Sequence, residues 1–359
     1  MNQLIPFSDT SISASTQVSE DVTGGAITRL LFDFEADIQL SAGGDAAQAG
    51  AAALASDVKI TSNGSVIATI TGTDLFYLAE FLNSGTSGLV RPEASGSNNA
   101  HTSIDLAFGA IMPGAALDAS GGNRIGYRVD YGAATQYDGN ATAINSGTLR
   151  VQSEHPGGVA SGAVLIPRFQ YQTQLVESAN SNIVVDKVFE NPGHLMGVMI
   201  RAVDSSADVG VQEVDGLIKR LTVRRLPATG SPTEMFDGTW PQLKALTNRY
   251  FGRPTLADGS DNVIGERSGV VFFPTQSAGG RNRAMPIQRN DKVQLRFDSS
   301  GTAAGHLTNV APASGDKVYV TWIFFEGALA GPADQAQRGI APVGSNAGRS
   351  RTRRGRRRV

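Results

Sequence analysis

The chain has 359 residues, of which 40% are hydrophobic and only 18% are charged, against roughly 25% charged in typical globular domains. Its low charge and its 42 glycines favour a β protein with many turns and exclude a coiled coil or a disordered chain. The absence of cysteine excludes disulfides, thiolate zinc sites and cysteine nucleophiles.

Residues 1–24 are polar and predict an N-terminal arm ahead of the first folded unit. This segment lacks the basic stretch followed by an apolar stretch that marks a secretory signal peptide. No run of the chain reaches the roughly 18 apolar residues of a membrane helix. We therefore expect the protein to be made as a soluble chain.

The first half of the chain begins with a long predicted strand. Apolar and polar residues alternate from Ile27 to Leu40, which indicates a strand with one buried face. Asn63-Gly64 then separates two short apolar runs, residues 58–60 and 66–70. This pair predicts a hairpin, because both central positions of a type I′ turn need positive φ.

A short helix is predicted over residues 73–83, after the hairpin. Thr71 or Thr73 can act as its N-cap. Apolar residues follow at helical spacing, and they are Leu75, Leu78, Ala79 and Leu82. Further strands of the first half are expected over residues 104–108, 125–129, 149–151 and 164–175.

The second half repeats this order of elements. Strands are predicted over residues 195–203 and 217–224, followed by a turn between Pro227 and Pro232. Another short helix follows over residues 239–250, with Thr239 as N-cap and Pro241 in its first turn. Its stripe of Leu243, Leu246, Thr247 and Tyr250 matches the stripe of the first helix at a constant offset of 168 residues.

The repeated order predicts a structural duplication, with unrelated β domains as the alternative. The first unit is expected over residues 25–176 and the second over residues 183–327. Strand 104–108 would correspond to 270–273, strand 149–151 to 293–295, and strand 164–171 to 318–325. Trp322 and Phe324 are expected in the core of the last strand. Neighbouring side chains on the opposite face of this strand are expected to form contacts between units or subunits.

Positive charge is concentrated at the C-terminus. Residues 328–359 contain eight arginines and one acid, Asp334, so the segment carries +7 and the remainder carries -9. It shows no apolar periodicity and predicts a disordered tail. The tail is expected either to solubilise the chain or to bind phosphate of nucleic acid or lipid headgroups, because arginine forms bidentate bonds to phosphate. The predicted phosphate-binding residues are Arg349, Arg351, Arg353, Arg354, Arg356, Arg357 and Arg358.

Motifs for catalysis are missing from the sequence. The four histidines, at positions 101, 155, 194 and 306, have no metal-binding spacing, and neither a P-loop nor a Gly-x-Ser-x-Gly motif occurs. We therefore expect no enzyme activity and no cofactor. One exception is left open: the loop residues Asp130, Asp138, Asp258 and Asp261 offer oxygen ligands for Ca²⁺.

Closely spaced carboxylates on the first long strand carry an enzymatic alternative. Asp33, Glu35 and Asp37 alternate on one face of the strand. Neighbouring members of this set would be about 7 Å apart, within the range of a glycosidase pair. An acidic solvent-exposed strand face would give the same pattern, and it is the preferred interpretation.

Residues 25–327 resemble the double jelly-roll major capsid proteins of tailless icosahedral viruses. The resemblance lies in the order of elements, the duplicated helix, the size and the composition. The membrane-containing, corticovirus-like phages are the nearest comparison. The resemblance implies an all-β fold of two tandem eight-stranded jelly rolls. It implies trimers that act as pseudo-hexameric tiles of a shell, and a virion protein made in the host cytoplasm. It also implies contacts with neighbouring trimers, penton and minor capsid proteins, and the genome or an internal membrane. A carbohydrate-binding or adhesive β-sandwich protein is the alternative.

Overall fold

The computed structural model of the chain describes two similar β units. It covers residues 2–6, 9–14, 17–22, 25–83, 88–89, 92–108, 115–119, 123–156, 165–176, 182–207, 209, 212–251, 255–257, 263–275, 284–299 and 313–327.

The main strands of the first unit are β1 (Asn2–Pro6), β2 (Gln17–Val22), β3 (Arg29–Leu40), β4 (Ala55–Ser62), β5 (Ser65–Ile70), β6 (Gly96–Ala107), β7 (Ile125–Tyr131) and β8 (Ala141–Pro156). Helix α1 (Gly72–Asn83) lies between β5 and β6. Shorter strands and 3₁₀ turns lie at Thr10–Ser11, Ala26–Ile27, Gly44–Asp45, Gly50–Leu54, Gly88–Leu89, Pro92–Glu93, Leu117–Asp118 and Ala134–Gln136.

The main strands of the second unit are β9 (Ile166–Leu175), β10 (Asn182–Val188), β11 (Gly193–Val203), β12 (Ile218–Leu226), β13 (Thr233–Thr239), β14 (Val270–Pro274), β15 (Lys292–Ser299) and β16 (Lys317–Glu326). Helix α2 (Trp240–Phe251) lies between β13 and β14. Shorter strands lie at Thr255–Ala257, Val263–Glu266 and Met285–Ile287.

Both units have the same sheet topology. The first unit pairs its strands in the orders β1-β8-β3-β6 and β2-β7-β4-β5, and the second in the orders β9-β16-β11-β14 and β10-β15-β12-β13. Each strand of the second unit therefore occupies the place of the strand eight positions earlier. Neighbouring main strands are antiparallel throughout. Two facing four-stranded sheets with this order form a jelly roll, which confirms the predicted all-β, two-unit fold.

The local patterns of the first unit form the predicted elements. In β3, alternate residues from Leu30 to Leu40 are buried. Asn63 and Gly64 join β4 to β5 with φ of 49° and 79°, as a type I′ turn requires. The Oγ1 of Thr71 accepts the backbone N–H of Asp74 at 3.0 Å and so caps α1.

The two helices confirm the offset of 168 residues, because each has 12 residues and they begin at Gly72 and Trp240. Pro241 lies in the first turn of α2 as predicted. The backbone N–H of Thr239 donates to the Oε1 of Gln242 at 2.8 Å, which is half of a capping box. No helix in the described part of the chain is long and apolar enough to cross a membrane.

The N-terminal segment differs from the predicted arm. β1 pairs with β8 and β2 pairs with β7, so residues 2–6 and 17–22 are strands of the first sandwich. Both are the terminal strands of their sheets. A strand at the edge of a sheet has a neighbour on one side only, so its sequence carries a weaker apolar signal than that of a central strand.

The boundary between the units also differs from the prediction. β9, expected in the first unit, pairs along its whole length with β16, so the second unit begins no later than Ile166. The predicted pairing of 104–108 with 270–273 is correct, since β6 corresponds to β14. The other two pairings were wrong by one strand: β8 corresponds to β16, and β7 to β15. Both errors follow from the placement of β9 in the first unit, which shifts the correspondence of that unit's last strands by one.

Candidate interaction surfaces

The first unit covers the outer face of one sheet of the second unit. In the sheet β9-β16-β11-β14, Leu195 and Val198 point into the second sandwich and belong to its own core. Met199, Phe272 and Ile323 point to the opposite side and belong to the same buried cluster as the core of the first unit. Both faces of β11, β14 and β16 in this sheet are therefore largely buried, one in each hydrophobic cluster.

A stripe along helix α1 forms the first unit's side of this junction. Its members, Asp74, Tyr77, Glu80 and Phe81, are between 0% and 4% exposed, and they lie on one side of the helix at spacings of three and four residues. We call these four residues the α1 stripe. Two of them are carboxylates, and buried carboxylates need partners.

The first carboxylate of the α1 stripe pairs with an arginine of the second unit. Arg201 of β11 donates from Nε to the Oδ1 of Asp74 at 2.6 Å and lies 3.6 Å from the Oε1 of Glu213. Burial lowers the pKa of Arg201, but the charges of Asp74 and Glu213 outweigh burial, so the pKa lies above its ordinary value. The charged pair is therefore retained inside the junction.

The second carboxylate forms an equivalent pair. Arg267 donates from Nη2 to the Oε1 of Glu80 at 2.6 Å and from Nη1 to the Oε1 of Gln48 at 2.7 Å. The guanidinium lies 4.5 Å from the ring centroid of Tyr77, a cation–π contact. Burial, with the charge of Glu213, raises the pKa of Tyr77 well above its ordinary value. Two arginines of the second unit thus bind two acids of the first.

Aromatic rings fill the space beside these ion pairs. The ring centroid of Phe81 lies 5.9 Å from those of Phe251 and Phe272, which lie 4.6 Å from each other. Gly197 of β11 allows Phe272 to pack closely, since a Cβ at this position would lie 2.3 Å from the ring. The junction combines ion pairs with aromatic packing.

The sequence signals for the junction were only partly recognised. Phe325, a neighbour of Phe324 on the other face of the last strand, was predicted to face another unit or subunit, and it lies in the first unit's hydrophobic cluster. Trp322 and Phe324 lie in the second unit's core, as predicted. The ion pairs were missed. A signal was available, because Arg201 stands inside the otherwise apolar run from Leu195 to Val203.

The corresponding outer face of the first unit is charged and exposed. On the sheet β1-β8-β3-β6, the outward residues of β3 include Asp33, Glu35 and Asp37, and the side chain of Glu35 is 57% exposed. Arg150 of β8 lies 3.2 Å from both Glu35 and Asp9. This is the acidic strand face that the sequence predicted.

His101 and Ser103 of β6 surround Asp33. The Oδ1 of Asp33 lies 2.6 Å from the Nε2 of His101 and 2.6 Å from the Oγ of Ser103. Partial burial raises the pKa of Asp33, but hydrogen bonds from Ser103 and His101 and the charges of His101 and Arg150 hold it below its usual value. Nε2 of His101 also faces the Oγ of Ser103 at 3.4 Å. A nucleophilic relay needs one imidazole nitrogen toward each partner, whereas here one nitrogen faces both.

The predicted Ca²⁺ ligands are not brought together among the described residues. Asp130 forms a salt bridge with Lys59 at 2.7 Å, while Asp138 accepts the backbone N–H of Asn140 at 2.7 Å. Asp258 and Asp261 lie outside the described residues. Across the described ranges, no group of three metal-binding side chains could hold an ion.

The arginines predicted to bind phosphate, residues 349–358, lie outside the described residues. A sugar-binding platform would need exposed aromatic rings, and every aromatic side chain whose burial the structure describes is buried or half-buried. Among all residues whose burial the structure describes, the exposed large apolar side chains are aliphatic: Val66, Leu175, Val184 and Val188.

Comparison with known proteins gives similarity of structure without similarity of sequence. No protein-family model matches the chain, and no curated protein sequence matches it. The atomic structure of Sulfolobus Turreted Icosahedral Virus gives a TM-score of 0.65 at 13% identity, over 94% of this chain and 95% of that chain. PBCV-1 VP54, fitted into a reconstruction of the virophage Sputnik, gives 0.58 at 14% identity, over 92% and 97%.

The major capsid protein P2 from bacteriophage PM2 gives a TM-score of 0.52 at 9% identity, over 92% of this chain and 98% of that chain. These similarities extend over nearly the full length of both chains in each pair. They show that the chain has the double jelly-roll fold, which the order of its elements had predicted.

Proposed function

We propose that this chain is a major capsid protein that associates with itself into the tiles of an icosahedral virus shell. The observation that carries the proposal is the complete double jelly-roll fold, similar over more than nine-tenths of the chain to the capsid protein of bacteriophage PM2. The buried junction supports it, because the two units form one block that symmetry can repeat. Three copies would place six similar sandwiches around one tile.

Sedimentation and electron microscopy of the purified protein test this proposal. We expect a species with three times the mass of the chain, and closed shells or flat arrays of pseudo-hexameric tiles at higher concentration. A chain that remains monomeric at every concentration, or that forms only irregular aggregates, would contradict it.

The same proposal assigns the chain a structural role without catalysis. Among the described residues, the surface cluster most like a catalytic site is Asp33 with His101 and Ser103, and it lacks the geometry of a relay. In this role the protein resides in the virion, where it would meet neighbouring tiles, penton proteins and minor capsid proteins. Hydrolysis of a glycoside that is abolished by Glu35→Gln or Asp37→Asn would overturn this part of the proposal.

The basic tail is proposed to bind phosphate inside the particle. Its arginines at positions 349, 351, 353, 354, 356, 357 and 358 can each neutralise one phosphate without a fixed fold. Five to seven contacts to duplex DNA predict a log–log salt slope of about -4.5 to -6. The phosphate can belong to the genome or to lipid headgroups, and binding to DNA and to anionic vesicles distinguishes the two.

Deletion of residues 348–359 tests the role of the tail. We expect intact tiles and shells that no longer retain DNA or anionic vesicles. If tiles instead fall apart while polyanion binding is unchanged, the tail is a clamp between acidic neighbouring subunits.

A further inference from the structure

The junction inside the chain joins two different faces of two similar units. The α1 side of the first unit covers the outer face of the sheet β9-β16-β11-β14 of the second unit. Because the units share one topology, each has both kinds of face. One face of each kind is used inside the chain. The α2 side of the second unit and the outer face of β1-β8-β3-β6 in the first unit are the equivalent pair.

The α2 side of the second unit is exposed where the α1 side is buried. The offset of 168 residues maps the α1 stripe onto Gln242, Ala245, Asn248 and Arg249. Gln242, Ala245 and Arg249 are exposed. They line an open depression of about 680 Å³, together with the apolar side chains Phe236, Leu246 and Tyr250. We call this surface the α2 face.

The outer face of the sheet β1-β8-β3-β6 is predominantly acidic. In the described part of this face and its rim there are six carboxylates and two arginines. The carboxylates are Asp9, Asp33, Glu35, Asp37, Asp105 and Glu154, and the arginines are Arg29 and Arg150. We call this surface the acidic face. It includes a depression of about 390 Å³ lined by Leu31, His101 and Gln152, among others.

The charges of these two free faces are opposite to those of the internal junction. Inside the chain, the helix supplies Asp74 and Glu80, and the second unit supplies Arg201 and Arg267. On the free pair, the helix supplies the exposed Arg249, at the position equivalent to Phe81, and the sheet supplies carboxylates. Lys244 of α2 is already bound to Asp215 of its own unit. The exposed Arg249 is therefore opposite in charge to the acidic face, and two acidic faces would repel each other.

We propose that the α2 face of one copy of this chain docks on the acidic face of a second copy, and that this contact repeats the packing of helix side on sheet face seen in the internal junction, with the positive charge on the helix side and the negative charge on the sheet. The proposal rests on the self-association put forward under the proposed function and names the surfaces that carry it. A contact between two different faces is heterologous and closes into a ring when successive copies are related by a suitable rotation. The reversed polarity prevents the internal and external contacts from exchanging partners, because a swapped pairing would place acid against acid.

Charge reversal tests the proposed pair of faces. Arg249→Glu and Glu35→Arg are each expected to weaken association by about tenfold or more, since each replaces an opposite-charge contact across the interface by a like-charge contact. The double variant Arg249→Glu/Glu35→Arg is expected to recover most of the loss. Arg296→Glu, an equal charge change at an exposed position of β15 on another sheet, serves as the control and should associate as the unmodified chain does. Sedimentation velocity over a concentration series gives the association constants.

Cross-linking tests the contact without altering its charges. The chain has no cysteine, so Ala245→Cys on the α2 face and Thr148→Cys beside Glu35 each introduce a single thiol. With a short bis-maleimide, a mixture of the two variants should give a covalent dimer on a denaturing gel, and either variant alone should give none. Val184 is exposed on β10, in the sheet β10-β15-β12-β13 and outside both proposed faces. Val184→Cys should therefore not cross-link to Ala245→Cys.

The outcomes separate this inference from the proposed function. If the unmodified chain forms trimers but the mixed dimer is absent and charge reversal has no more effect than Arg296→Glu, the assignment of faces is wrong while self-assembly stands. If the unmodified chain does not associate at all, both fail. A mixed dimer, with rescue in the double variant, supports the assignment.

Discussion

Two sheets with the same topology, β1-β8-β3-β6 and β9-β16-β11-β14, have opposite chemistry on their outer faces. The first exposes Asp33, Glu35 and Asp37, whereas the second presents Met199, Phe272 and Ile323 to the first unit. Accordingly, β3 alternates between apolar and polar residues, and β11 is apolar on both faces. Alternation of apolar and polar residues along a strand therefore indicates that only one of its faces is buried, whereas a strand without it is buried on both faces. Equivalent strands of a duplicated fold can differ in this respect.

Both outer faces contain carboxylate–arginine pairs, but the pairs differ in burial and therefore in how much the loss of one partner lowers stability. The side chains of Asp74 and Arg201 are 0% and 9% exposed, and those of Glu35 and Arg150 are 57% and 46% exposed. Removing one partner of a buried pair leaves a charge that water cannot reach. An exposed pair contributes only about 0–1 kcal/mol. The comparison can be tested by making the same kind of change on both faces.

The largest effect on stability is expected from neutralising a buried acid of the junction, and the same change on the acidic face is its matched control. Asp74→Asn should lower the free energy of unfolding by about 3–5 kcal/mol, because it leaves Arg201 without its closest partner. Glu35→Gln, the matched change on the acidic face, should cost less than about 1 kcal/mol. Urea denaturation measures both. Equal losses for the two variants would show that the junction is no more buried in solution than the acidic face.

The next largest loss of stability is expected from a substitution in the aromatic cluster of the junction. Phe272→Leu should cost about 1–2 kcal/mol, since it removes ring contacts with Phe81 and Phe251 and leaves a small void. Leu31→Ala, at a half-buried outward position of β3, should cost less despite the greater loss of volume. The same denaturation curves test the order, and a larger loss for Leu31→Ala would contradict it.

The caps of the two equivalent helices sharpen the comparison on a smaller scale. Thr71→Ala should destabilise the protein by about 1 kcal/mol, because the Thr71 hydroxyl caps a backbone N–H of buried α1. Thr239→Ala should cost less than about 0.5 kcal/mol, the lower end of the range for loss of a side-chain cap, since the backbone N–H that binds Gln242 remains. Thermal unfolding measures both variants. An equal loss at Thr239 would mean that its hydroxyl also acts as a cap.

The smallest effect is a dependence on pH at the acidic face. The pKa of Asp33 lies below its usual value of 3.8, so ionised Asp33 stabilises the folded state at pH values above 3.8. This contribution is lost as the pH falls through the folded-state pKa. The difference in Tm between the unmodified chain and Asp33→Asn should therefore shrink as the pH falls from 5 to below 4. A difference that grows over this range would contradict the assignment.

Local patterns in the sequence predicted the elements that depend on neighbouring residues. The alternation of β3, the turn at Asn63 and Gly64, and the capped helices at an offset of 168 residues are all confirmed. The acidic strand face is also where the sequence placed it. Each of these features is encoded within about a dozen residues, so periodicity and turn chemistry suffice to recognise it.

The partners of strands far apart in sequence could not be read in the same way. β9 looked like the last strand of the first unit, but it pairs with β16, about 150 residues later. β1 and β2 looked like a polar arm because a strand at the edge of a sheet needs little apolar surface. These assignments depend on hydrogen bonds and burial that form only when the whole chain has folded.

By itself, the sequence determined that the chain is a duplicated β protein with one helix in each repeat, because hydrophobic periodicity is a local property. The tertiary structure alone decided which strands form each sandwich and which sheet face becomes the junction. It also decided that Asp74 and Glu80 meet Arg201 and Arg267 there. The physical reason is that the sequence does not show whether a charged side chain will be solvated or buried. Only the position of that side chain in the fold determines which of the two occurs.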